Sequence, residues 1–170
     1  GGILLYGSSS TAATSPLVRK LGAAWTPVRV AGAGSVGASA RTLGTLSNPL
    51  PSFAGYGAIV LYLPGVNGED RVRDIVELTR RVAVQAANEN GGRLPTITWA
   101  LPPLWPTTAI YPPSTTPVNE SILNTRRAQV DRQAELLSGI SGLTFVNTTR
   151  IQLLPADFNN PAEDRWTHPN

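Results

Sequence analysis

Four polar or glycine-bearing positions, far apart in the chain, are of types that can do chemistry: Ser9, Gly37, Asn67 and His168. A serine hydroxyl becomes a nucleophile when a neighbouring imidazole removes its proton. Glycines let backbone N–H groups approach a ligand closely, and an asparagine amide can point a further donor into a cleft. Each position also has a plainer reading. Ser9, in Gly7-Ser8-Ser9-Ser10-Thr11, can be a helix cap or part of a serine-rich turn. Gly37 belongs to Gly32-Ala33-Gly34-Ser35-Val36-Gly37, whose plain reading is a tight turn after a strand. Asn67 precedes Glu69-Asp70 and can cap the next helix. A lone histidine such as His168 is more often surface or core filler than a base.

Other chemistries fit less well. Thr11 stands where Gly-x-Ser-x-Gly needs its second glycine, and the Gly-Lys-Ser/Thr of a phosphate-binding loop is absent. Gly32-x-Gly34-x-x-Gly37 has the dinucleotide spacing. It follows a second strand rather than a first, and no acidic residue about 20 positions on is there to hold a ribose. Without cysteine and with one histidine, thiolate and multi-histidine metal sites are excluded.

Five short apolar runs are expected to be strands: Ile3–Tyr6, Val28–Ala31, Ala58–Leu63, Thr96–Leu101 and Leu143–Val146. They are continuous rather than alternating, as in a parallel sheet covered on both faces. Helical patterns lie between them. Ser15-Pro16 is a cap followed by proline at the first helical position, leading into Leu17–Trp25. Val72, Ile75, Val76, Thr79, Val82, Ala83 and Ala86 follow three-and-four spacing from about Glu69 to Asn88, stopped by Asn90-Gly91-Gly92. A third helix starts near Thr116-Pro117, carries Leu123, Val130, Ala134 and Leu137 on one stripe, and ends at Ser138-Gly139. Strands alternating with helices imply a single doubly wound α/β domain over residues 1–170, a three-layer sandwich with a five-stranded parallel sheet. In such sheets ligands bind beyond the carboxyl ends of the strands, where Ser9, Gly37 and Asn67 fall.

These four positions, in this order, resemble the blocks of the SGNH (GDSL-like) hydrolase family. Ser9 matches the nucleophile after the first strand, Gly37 the second-block glycine, Asn67 in Gly65-Val66-Asn67 the asparagine, and His168-Pro169 the C-terminal His-Pro. The resemblance spans nearly the whole chain, from Ile3 to Asn170. It implies a flavodoxin-like fold and a serine esterase acting on carboxylic esters, such as carbohydrate O-acetyl or lipid esters, with no metal or cofactor. Departures are also plain: Ser8 replaces the first-block Asp, Gly68 the Asp after the asparagine, and Arg165 the Asp three residues before the histidine. Asp164, one residue further back, is the replacement candidate for orienting the ring. The resemblance also implies a helix beyond Asn170, so the natural chain is expected to continue, and a start at Gly1 implies processing or trimming.

Trp105 and Tyr111 lie in Pro102–Pro117, which holds six prolines and is expected to be an extended loop. They are candidates for an aromatic wall against a sugar or acyl chain, with Arg165 as a third substrate-binding candidate; packing of the loop on the sheet is the alternative. The other class in contention is a non-catalytic module of this fold on a cell surface or phage particle. An extracellular, cell-surface or virion setting suits either class.

Composition narrows the partners. With 41% apolar and 15% charged residues the chain is that of a globular protein. The net charge of +3 comes almost wholly from arginine, Lys20 being the only lysine. The arginines are scattered, whereas nucleic-acid binders concentrate charge on one face, so no nucleic acid is expected. No apolar run reaches the roughly 18 residues of a membrane span. The asparagines of two Asn-x-Ser/Thr sequons, Asn119 and Asn147, carry weight only if the protein is secreted.

Overall fold

The computed structural model describes residues 1–7, 11–34, 50–62, 69–100, 124, 128, 131–132, 134–139 and 143–146. The elements in chain order are β1 (Gly2–Gly7), α1 (Pro16–Ala24), β2 (Val30–Gly34), β3 (Tyr56–Tyr62), α2 (Glu69–Glu89), β4 (Thr96–Ala100) and β5 (Leu143–Val146). All strand pairs are parallel, in the spatial order β2-β1-β3-β4-β5. The expected α/β organisation on a parallel sheet is therefore what the chain forms.

Register explains which residues are buried. Leu4, Ile59 and Ile97 form one row across β1, β3 and β4, and Tyr6, Leu61 and Trp99 form the next. All six side chains are at most 3% exposed. Because side chains alternate along a strand, both rows lie on one face of the sheet. Leu78, Val82 and Ala86 of α2, together with Phe53 and Leu137, complete the same cluster. Within it, the Trp99 indole N–H donates to the Thr79 hydroxyl at 2.8 Å, so α2 and β4 share a satisfied buried polar pair. The Tyr6 and Phe53 rings meet edge to face with centroids 6.0 Å apart.

Alternation turns Leu5 and its neighbour Gly32 to the opposite face. Val18 of α1 sits there: a Cβ on Gly32 would come within 2.7 Å of its Cγ2. Helix α1 begins as its sequence implies, with the Ser15 hydroxyl oxygen accepting from the Val18 N–H at 3.2 Å and proline in the first turn.

At the amino end of the sheet, the last residues of α2 hold the chain that enters β3. The Phe53 N–H donates to Glu89 at 2.6 Å and the Gly55 N–H to the Asn90 side chain at 3.0 Å. The Asn90 amide returns a bond to the Phe53 carbonyl at 3.0 Å. Asn90 thus both stops α2 and clamps the neighbouring segment.

The structure corrects the sequence at the second strand. β2 runs Val30–Gly34, not Val28–Ala31; Val28 lies before it and is 43% exposed. Gly32 and Gly34, expected in a turn, are strand residues paired with Leu5 and Gly7. Glycine is a strand breaker by propensity, but tertiary pairing overrides it where another backbone must come close. Of the third helix, residues 131–132 and 134–138 are helical and Gly139 is a turn, in keeping with the expected stop.

Candidate active site

The three strands that precede Ser9, Gly37 and Asn67 end side by side. Gly7, the last residue of β1, is in register with Gly34, the last of β2, and with Tyr62, the last of β3. The chain leaves β1 two residues before Ser9, β2 three before Gly37 and β3 five before Asn67. The strand order changes direction between β1 and β3, since β2 lies on one side of β1 and β3 to β5 follow on the other. In open α/β sheets a crevice forms beyond the carboxyl ends at such a reversal, because successive connections leave on opposite sides.

Two features bring these strand ends close. Gly7 has no room for a side chain, since a Cβ would overlap the Tyr62 carbonyl oxygen and lie 2.8 Å from its carbon. Gly32 is equally confined: a Cβ there would overlap the Thr11 carbonyl oxygen. Thr11 itself is fully buried, and its hydroxyl donates to the Ala33 carbonyl at 2.9 Å. The chain following β1 is thereby tied to the end of β2. From there Ala12 accepts from the Ser15 N–H at 2.8 Å, and Ser15 caps α1.

Two phenols belong to these strand ends. Burial disfavours the phenolate and pushes both Tyr6 and Tyr62 up to about 12, so both are neutral and protonated at physiological pH.

Ser9, Gly37, Asn67, His168 and Asp164 lie outside the described residues, as do Trp105, Tyr111 and Arg165. What the described residues give is the scaffold from which three of the five catalytic candidates follow. The sequence did not single out Thr11 as a structural tie, reading it only as a departure from the Gly-x-Ser-x-Gly pattern. A threonine shortly after a strand is a weak signal, and its partner Ala33 is legible only once the β1–β2 register is known. Among the described residues no group of three His, Cys, Asp or Glu side chains is placed to hold a metal ion. None of the described helices is long and apolar enough to cross a membrane. In comparisons with known proteins, no family model, no curated protein and no solved structure matches the chain.

Proposed function

We propose that this chain is an SGNH-type serine esterase, a three-layer α/β domain that hydrolyses carboxylic esters, with carbohydrate O-acetyl or lipid esters as the substrate class. The observation that carries the reading is the adjacency of Gly7, Gly34 and Tyr62 at the carboxyl edge. Three separate stretches of sequence, each bearing one candidate residue of the family pattern, start from neighbouring points. Strand order β2-β1-β3-β4-β5 and the positions of Val18 and Leu78 against opposite sheet faces support the doubly wound sandwich.

In the proposed reaction His168 takes the Ser9 proton as the Ser9 oxygen bonds to the ester carbonyl carbon. The carbonyl π electrons move to oxygen, and the backbone N–H groups of Ser9 and Gly37, with the Asn67 amide, receive that oxyanion. The intermediate collapses by breaking the bond to the alkoxy group, which leaves as alcohol with the proton from His168. Water then attacks the acyl-serine with His168 again as base, releasing the carboxylic acid and restoring the Ser9 hydroxyl. Asp164 accepts from the far ring nitrogen and fixes the tautomer. Trp105, Tyr111 and Arg165 line the substrate side. The chemistry calls for no metal or cofactor.

One residue favours a second reading. Arg165 stands where the family pattern has its acid, and a cation beside the ring opposes imidazolium formation. In that reading the domain is a non-catalytic binding or structural module whose cleft takes an anionic or sugar ligand. Turnover of p-nitrophenyl acetate by wild type, absent in Ser9→Ala at unchanged thermal stability, supports the esterase. Turnover equal in the two proteins rejects it.

A further inference from the structure

We infer that Thr11 is a positioning residue that sets the spacing between the segment carrying Ser9 and the segment carrying Gly37; its catalytic consequence rests on the esterase reading above. Thr11 is fully buried and follows Ser9 by two residues, and its hydroxyl donates to the Ala33 carbonyl, four residues before Gly37. Among the described strands β2 lies at the edge of the sheet and pairs with β1 alone, and the Thr11–Ala33 bond is a second attachment near its end.

The surroundings leave this contact little play. Gly32, one residue before Ala33, is bare against the Thr11 carbonyl oxygen and against Val18, so the backbone at Thr11 and the strand meet without an intervening side chain. On the far side, the Ala12 carbonyl and Ser15 lock the same segment to the start of α1. Two oxyanion donors carried on separate stretches, at Ser9 and at Gly37, are effective only if their separation is fixed before the ester arrives. A shift of about 1 Å at such a site costs on the order of 100-fold in rate. Thr11 is the described side chain that bridges the two stretches.

The test compares wild type with Thr11→Val, which keeps the shape and removes the hydroxyl, and Thr11→Ser, which keeps the hydroxyl. Thr26→Val serves as the control, since the Thr26 hydroxyl is exposed and donates to the Gly22 carbonyl at the opposite end of α1. Turnover of p-nitrophenyl acetate is expressed per site titrated with a fluorophosphonate, so loss of folded protein does not count as loss of rate. Thr11→Val is expected to lower kcat by about tenfold or more with KM within about twofold, and Thr11→Ser to recover most of it. Thr26→Val is expected to match wild type. A buried threonine with a merely structural role would lower the melting temperature by roughly 2–4 °C and leave kcat per site unchanged, and that result overturns the inference. If wild type and Ser9→Ala are equally inert, the esterase reading fails by itself, and hydrogen exchange then decides the tie. Faster amide exchange over residues 11–18 and 30–34 in Thr11→Val, absent in Thr26→Val, sustains it. Exchange identical to wild type rejects it.

Discussion

Ser9, Asn67 and His168 are ordinary residue types, and only their order relative to the strands gives them weight. Asn67 has two roles in contention, helix cap and oxyanion donor, and they differ in consequence. As a donor, its replacement by alanine lowers kcat about 100- to 1000-fold at nearly constant KM. As a cap alone, the same change costs about 1 kcal/mol of stability and leaves turnover intact. Steady-state kinetics beside thermal melting of Asn67→Ala separates the two. The missing acid is decided in the same way. Asp164→Asn is expected to depress turnover strongly, because the wrong tautomer then faces Ser9. Arg165→Asp is expected to change it far less. A sharp rise in turnover confined to Arg165→Asp would instead mark a domain that has lost its acid. What was legible at this scale was residue type and order. Thr11 was not, because its meaning depends on a carbonyl 22 positions away that becomes its neighbour only through strand pairing.

Strands and helices were read more fully than single contacts. The apolar run at Leu143–Val146 and the capping signal at Ser15-Pro16 appear where the sequence put them, since each depends on local chemistry alone. The start and end of β2 did not, because its glycines look like a turn until Leu5 and Gly7 are seen beside them. Two glycines, one in a helix and one in β2, make the distinction measurable. Gly22 lies inside α1, where among the described residues an added Cβ meets nothing nearer than Val30 Cβ at 4.0 Å. Gly22→Ala is therefore expected to stabilise the fold by about 0.5–1 kcal/mol through helix propensity. Gly32→Ala forces a methyl into the Thr11 backbone and Val18, and is expected to cost about 1–3 kcal/mol or more. Urea unfolding of both variants checks the pair; a neutral Gly32→Ala would contradict the close approach of Thr11 to β2.

Across the whole molecule, the alternation of apolar runs with helical stripes disclosed an α/β protein on a parallel sheet, because that pattern is the direct imprint of strands covered by helices. Register, and hence the rows Leu4-Ile59-Ile97 and Tyr6-Leu61-Trp99, was not legible, since continuous apolar strands can slide past one another without burying anything polar. The buried phenols give a global signature. Both Tyr6 and Tyr62 are raised to about 12 from an unfolded value near 10, so between those values the native state holds protons that the unfolded chain has released. Stability from this source is complete below about pH 10 and is lost as the pH rises towards 12. Denaturation in alkaline buffers should show that fall, with a shallower slope in Tyr62→Phe. An unchanged slope would mean the Tyr62 phenol is not the group responsible. The esterase reading itself stands most directly on whether the folded protein holds an activated serine. Incubation with a fluorophosphonate probe followed by peptide mass analysis is expected to place the adduct on Ser9 in wild type, with none in Ser9→Ala or in heat-denatured protein. Folded wild-type protein that takes up no probe, or takes it up at another residue, would contradict the esterase.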